Sequence, residues 1–298
     1  MSKKVIFQGS GVALITPFTE DLSRVDYDMY EKLIEDQIAG GTDALVVAAT
    51  TGEGSTLSHE EHVEVVSFAV KTAAGRVPVI AGTGSNDTNY AILLSNECEK
   101  VGVDGLLMVT PYYNKTSQEG LIEHYNYIAQ RVSAPIILYN VPSRTGMTIQ
   151  PETYRELSRI ENIVGTKEAT GNISLISKTA ALCGDDLAIY SGNDDQILPL
   201  MSLGGKGVIS VLAHVVPKVA HDIPALYLAG DVEGSRKLQM EYFDLCEALF
   251  YDVNPIPVKE AMNMMGWNLG RCRLPLTRMP EAKREKLRAV MEKHGLTA

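Results

Sequence analysis

The sequence predicts an α/β protein: a closed (β/α)8 barrel of the TIM type with a C-terminal helical extension. Three observations carry this. Eight short apolar runs recur between Val12 and Val211, each rich in Val, Ile and Leu and none cleanly alternating. That is the pattern of parallel strands buried on both faces. Amphipathic helical patterns separate the runs, and an alternation of eight units suits a closed barrel. The competing architecture, an open doubly wound sheet, would more often carry a glycine fingerprint after its first strand. Here TPFTED follows the first strand instead.

Taken in order, VALIT from Val12 precedes a helix over Tyr27–Ile38, with Tyr30, Leu33, Ile34 and Ile38 on one face. ALVVAAT from Ala44 leads to Ser58, an N-cap whose capping box is completed by Glu61, and a helix reaching Ala73. PVIAGT (from Pro78), GLLMVT (from Gly105), PIILYN (from Pro135), IVGTKE (from Ile163), LAIYSGN (from Leu187) and GVISV (from Gly207) are the remaining strands. Helices are expected over Asn89–Val101, Gln118–Val132, Pro151–Arg159, Ile173–Leu182, Asp195–Leu203 and Val216–Leu228. Gly40, Gly75, Gly102, Gly184, Gly204 and Gly230 follow helices and suit left-handed C-terminal caps. The barrel units occupy residues 1–230. Residues 231–298 hold three more helical patterns, Glu233–Phe250, Ile256–Met265 and Pro280–Lys293.

Composition narrows the function classes. Of 298 residues, 45% are apolar and 21% charged, which argues against disorder. The net charge is −10 and no Lys/Arg cluster occurs, so neither a nucleic-acid nor an anionic-membrane partner is expected. No run of about 18 apolar residues exists, which excludes a membrane helix. The N-terminal MSKKVIFQGSGVALITPF lacks a long apolar core and a cleavage site and is not read as a signal peptide. Cys98, Cys183, Cys246 and Cys272 are far apart and form no CxxC, so they read as reduced structural residues of a cytoplasmic protein. Aromatic usage is lopsided, with 13 Tyr against 5 Phe and 1 Trp.

In such a barrel the chemistry sits at the C-terminal strand ends. Those ends carry Thr16-Pro17, Thr50-Thr51-Gly52-Glu53, Gly82-Thr83-Gly84, Thr110 to Asn114, Tyr139 to Arg144, Lys167-Glu168, Ser191-Gly192-Asn193 and Ser210. Lys167 is the most informative, because it lies in a strand built for burial. An ammonium there loses hydration, and a neutral amine is a nucleophile able to form a Schiff base with a ketone. The alternative is a structural lysine paired with Glu168 or Glu53. Arg144 could clamp a carboxylate or form a surface ion pair. Tyr139 could act chemically or merely pack the barrel mouth. The adjacent phenols Tyr112 and Tyr113 must point two ways, one of them toward a site or a neighbouring chain. Other chemistries are weakly supported. His59 and His62 do not form HExxH, no GxSxG elbow is present, and neither Gly204-Gly205-Lys206-Gly207 nor Gly82-Thr83-Gly84 fits a phosphate or dinucleotide cradle. No metal, nucleotide or other cofactor is expected.

At these residues the chain resembles the dihydrodipicolinate synthase family of lysine-dependent pyruvate aldolases. The matching segments are TTGEGSTLSHEEH, PVIAGTGSN, VTPYYNKTSQEGL, YNVPSRTG, KEATGN, GVISV and NPIPVK, and the likeness spans nearly the whole chain. The resemblance implies a condensation of pyruvate with L-aspartate 4-semialdehyde followed by cyclisation, on the diaminopimelate route to lysine. It implies that Lys167 is the Schiff-base lysine and that Tyr139, Thr50 and Tyr113 form a proton relay, Tyr113 reaching in from a partner subunit. Thr51 and Ile209 match pyruvate contacts, with Gly192 among the substrate-binding positions. Arg144 matches the group that receives the carboxylate of the second substrate. Its presence favours the synthase over family members such as N-acetylneuraminate lyase and 2-keto-3-deoxy sugar acid aldolases, where that position is generally not arginine. A catalytically silent ligand-binding barrel is the reading from another class. The family also suggests a homotetramer built as a dimer of dimers.

The resemblance also implies a lysine-feedback site, which maps onto Ser55, His59, His62, Asn86 and Tyr112, with Tyr90 in place of an acidic residue that in the family usually holds the effector's amine. Ala49 and Gly54 are further departures, Gly54 standing where sensitive members often carry Ser. Losing an anion opposite an ammonium weakens binding, so weak or absent lysine inhibition is expected.

Overall fold

Parallel strands close into a barrel in chain order: β1 (Gly9–Ala13), β2 (Ala44–Val47), β3 (Val79–Gly82), β4 (Gly105–Val109), β5 (Ile136–Asn140), β6 (Ile163–Glu168), β7 (Ala188–Ser191) and β8 (Gly207–Ser210). The computed structural model describes residues 3–298; the first two residues of the expected 1–230 barrel span lie outside the described residues. The pairing of β1 with β8, from Gly9↔Gly207 to Val12↔Ser210, seals the sheet and removes the open alternative. β1 begins three residues before the expected VALIT run, because Gly9, Ser10 and Gly11 pair with β8. Their smallness hid them from an apolar count. A side chain at Gly11 would stand 2.9 Å from the Phe7 ring.

The intervening helices are α1 (Tyr27–Ala39), α2 (His59–Ala73), α3 (Thr88–Lys100), α4 (Gln118–Ala129), α5 (Pro142–Thr145), α6 (Pro151–Leu157), α7 (Ile173–Cys183), α8 (Ile197–Ser202) and α9 (Pro217–Leu228). Ser58 caps α2 through the Glu61 amide, and the Glu61 carboxylate returns to the Ser58 N–H, so the expected capping box is formed. α5 is one short turn that sequence periodicity did not reveal. Pro142 presets its first residue, and Gly146 at φ +67° ends it. The expected glycine caps adopt positive φ except Gly40, which is right-handed at φ −74°; Gly41, at φ +92°, makes that turn instead.

The extension comprises α10 (Val232–Glu241), α11 (Phe243–Ala248), α12 (Ile256–Met264) and α13 (Glu281–Lys293). The single helix expected over Glu233–Phe250 breaks at Tyr242, whose ring stacks on His294 beyond α13, centroids 4.9 Å apart. Val258, Met262, Leu287 and Met291 of the extension are fully buried in the same apolar layer as Leu33, Val65 and Leu94 of the barrel helices. A second apolar cluster fills the barrel interior, with Ala13, Val46, Ile80, Leu107, Ile137 and Ile209 among its members. The four cysteines are free and buried. No described helix is long and apolar enough to cross a membrane.

Candidate active site

β6 shows how the strand pleat sorts the reactive groups. Successive side chains point to opposite faces. Gly165 and Lys167 face the barrel interior, where Gly165 approaches the Tyr190 ring. Thr166 and Glu168 face the helices, where the Tyr154 hydroxyl of α6 lies 2.9 Å from Thr166 Oγ1 and donates to Glu168 Oε1 at 2.5 Å. Asn140 Nδ2 and Thr170 Oγ1 also donate to Glu168. Burial pushes the Glu168 carboxyl up, against these hydrogen bonds.

Glu168 is therefore committed to the outer face. Glu53 is equally committed: its Oε1 lies 2.5 Å from Lys259 Nζ, and its Oε2 accepts from the Arg273 amide at 2.8 Å. Both acids that could have made Lys167 a structural lysine are engaged elsewhere. Lys167 is 5% exposed, and among the described residues no salt bridge holds it. Its Nζ lies 4.5 Å from the centroid of the Tyr139 ring. The parallel register places Tyr139 of β5 and Tyr190 of β7 on either side of Lys167.

Gly192 follows β7, and its lack of a side chain matters. A Cβ there would meet Lys167 Cε at 3.2 Å and Ala169 Cβ at 2.8 Å. Ile209 of β8 is 1% exposed and belongs to the same interior cluster as Tyr139. Just past β8 the amides of Val211 and Leu212 donate to Asp194 Oδ2, both at 2.9 Å. Burial pushes Asp194 up, offset in part by its hydrogen bonds and by the Lys167 charge.

A cavity of about 370 Å³ opens at this rim and is lined by Thr50, Tyr139 and Arg144 among others. Thr51, beside Thr50, is buried and accepts a hydrogen bond from Asn254 Nδ2 at 2.9 Å. Arg144 rides on α5 and donates from Nη2 to the Asn254 carbonyl at 3.0 Å. Among the described residues no acid pairs with Arg144, so the surface ion pair is not formed. A larger groove of about 1250 Å³, lined by Phe18, Lys259, Trp267, Arg271 and Arg278, contains none of the rim residues singled out in the sequence.

The dihydrodipicolinate synthetase family profile matches residues 6–294. The chain belongs to that family. It is 55% identical over 291 residues to a 4-hydroxy-tetrahydrodipicolinate synthase of Caldicellulosiruptor saccharolyticus, covering 98% of each chain. Among solved structures it is similar to dihydrodipicolinate synthase from Aquifex aeolicus, at TM-score 0.94 and 47% identity, covering 98% of this chain and 99% of that one. It is also similar to the chloride-inhibited dihydrodipicolinate synthase from Acinetobacter baumannii complexed with pyruvate, at TM-score 0.95 and 43% identity, covering 98% and 100%.

Tyr112 and Tyr113 diverge as two adjacent phenols must. Tyr112 lines the cavity, while Tyr113 is 93% exposed at φ +71°. Ser55, His62 and Tyr90 line the same cavity as Tyr112. His62 Nε2 donates to the Gly82 carbonyl at 2.9 Å, and burial lowers its pKa. His59 reaches Glu97 at 2.8 Å and the Tyr90 hydroxyl at 3.3 Å. Asn86 stands apart from this lining; its carbonyl accepts from Asn114 Nδ2 at 2.9 Å. Asn254 and Lys259 join the site without a signal at the strand ends. The segment NPIPVK was the available signal, but nothing in it says that Asn254 meets residues 203 and 110 positions away.

Proposed function

We propose that this chain condenses pyruvate with L-aspartate 4-semialdehyde and closes the product ring, the 4-hydroxy-tetrahydrodipicolinate synthase reaction. The observation that carries the assignment is Lys167: an amine buried on the inner barrel face, without a carboxylate partner among the described residues, beside a phenol. In this reading the Lys167 amine attacks the pyruvate ketone and water leaves, giving an imine. The imine draws electrons from the methyl group, which loses a proton to become an enamine carbon. Thr50 and Thr51 hold the pyruvate carboxylate, with Ile209 and Gly192 shaping its berth. The enamine carbon bonds to the aldehyde carbon, whose oxygen takes up a proton.

Tyr139 carries these protons through Thr50 and Tyr113, since transfer needs a group within hydrogen-bond reach. Arg144 receives the carboxylate of the semialdehyde. The amine of that substrate then adds to the imine carbon and expels the Lys167 amine as the ring closes. The lysine imine is the electron sink, so the steps call for no metal or organic cofactor. We place the barrel chemistry in residues 1–230, supported by 231–298, in a cytoplasmic homotetramer built as a dimer of dimers. The role given to Tyr113 calls for at least the dimer, since its side chain is 93% exposed and points away from the site of its own chain.

Borohydride reduction with pyruvate, followed by mass spectrometry, tests the assignment. A reduced adduct on Lys167 is expected; no adduct, or one that persists in Lys167→Ala, overturns it. Offering aspartate semialdehyde, glyoxylate and N-acetylmannosamine as acceptors separates the synthase from the other aldolases. Light scattering that finds an active monomer would remove the role given to Tyr113.

A further inference from the structure

One residue of the helical extension touches both carboxylate-binding positions. Asn254 lies in the short segment between α11 and α12 and is 6% exposed. Its side-chain amide donates to Thr51 Oγ1 at 2.9 Å, and its backbone carbonyl accepts from Arg144 Nη2 at 3.0 Å. Two different parts of one residue thus serve the berths of two different substrates. The segment is pinned nearby by the Lys259–Glu53 pair, and Glu53 lies two residues after Thr51.

The direction of the side-chain bond has a chemical consequence. A hydroxyl has one proton to donate. Because the Asn254 N–H already fills an acceptor position on Thr51 Oγ1, the threonine proton stays free to be given to something else. A carboxylate can only accept. We infer that Asn254 is a positioning residue that keeps Thr51 a hydrogen-bond donor toward the pyruvate carboxylate, while its backbone separately orients Arg144 for the acceptor substrate. The inference rests on the proposed function, which supplies the two carboxylates.

Its side-chain half and its backbone half separate by mutation. Asn254→Asp turns the amide donor into an acceptor, so the Thr51 hydroxyl is drawn to the aspartate and an anion stands near pyruvate. Asn254→Ala removes the side-chain contact with no new charge. The Arg144 contact uses the carbonyl that both variants retain. The Asn254 Oδ1 is buried and has no partner among the described residues, so truncation breaks only the Thr51 bond.

The readout is the pyruvate concentration that half-saturates borohydride trapping on Lys167, measured beside the KM for aspartate semialdehyde and a thermal melt. We expect half-saturation to rise about tenfold or more in Asn254→Asp and about threefold in Asn254→Ala, the worth of a charge-assisted bond and of a smaller loss. The aldehyde KM should stay within about twofold in both, because the backbone contact survives. Unchanged half-saturation in a folded Asn254→Asp overturns the inference. So does an equal rise in both substrate constants, which is what mere loosening of the fold would give. If wild type forms no adduct, the proposed function fails and the inference falls with it.

Discussion

Lys259 Nζ lies 2.5 Å from Glu53 Oε1, with both side chains all but sealed from solvent. The same ammonium stands 4.4 Å from the centroid of the Phe18 ring. Glu53 is the residue after Thr50-Thr51-Gly52 and is itself held at φ +54°. The pair ties the loop carrying Thr50 and Thr51 to the extension. Removing one member of a buried pair strands the other charge, at about 3–5 kcal/mol. Lys259→Met is expected to lose that much in urea unfolding, and the double variant with Glu53→Gln to regain most of it. A single variant within about 1 kcal/mol of wild type would show that the pair contributes little.

Tyr139→Phe separates proton transfer from imine formation. The ring that faces Lys167 remains, so pyruvate trapping should persist. Turnover should fall by about 10²–10⁴-fold, the usual worth of a positioned acid–base group. Stopped-flow or coupled assays at saturating substrate check this, and turnover within about tenfold of wild type would deny the phenol its role.

Lysine is expected to inhibit weakly. Tyr90 presents a phenol where an ammonium would want an anion, and its hydroxyl is engaged at 3.3 Å by His59, which is in turn held by Glu97. Tyr90→Glu should sharpen inhibition by about tenfold, the worth of one charge-assisted contact. Half-inhibition of the wild type well below millimolar lysine, read from initial rates, would sink the expectation.

Acid is expected to destabilise the fold through buried histidines. His214 is 1% exposed, accepts from the Ile15 amide at 3.1 Å and donates to the Val211 carbonyl at 2.9 Å. Burial pushes it down to about 4 from 6.5. His124 is also lowered to about 4 by burial. Between those values the unfolded chain binds the proton and the folded chain does not, so stability is present above 6.5 and is lost as pH falls toward 4. His214 alone accounts for about 3 kcal/mol across that window. Glu168 and Asp194, both pushed up by burial, work in the opposite sense. Urea midpoints of wild type and His214→Asn across the window isolate the term: the variant should show a shallower slope, and an equal slope would refute it.

Much of this architecture was legible because parallel strands buried on both faces read as apolar runs, whatever surrounds them. The start of β1 is silent in the sequence because small residues at the barrel seam carry no hydrophobic signal. The break at Tyr242 escaped because helical periodicity continues across it, and only a ring stacked from beyond α13 marks the spot. Within the site, the strand ends announced Lys167, Tyr139 and Thr50, since position along a strand is local information. The partners of Glu53 were not local. Sequence left Glu53 and Glu168 open as mates for Lys167, and only the pleat of β6 and the arrival of Lys259 resolved them. Asn254 was illegible for the same reason, its contacts being set by how the extension folds back.

The Glu53–Lys259 pair also imposes an order in time. The acid leaves the ribosome 206 residues ahead of its counter-ion. During synthesis all eight strands can emerge before Lys259 does, and until then the loop carrying Thr50 and Thr51 has an acid it cannot bury. The geometry of that loop is therefore completed by a residue made after every strand of the barrel, and the extension that carries Lys259 is as much a part of the rim as the strands beneath it.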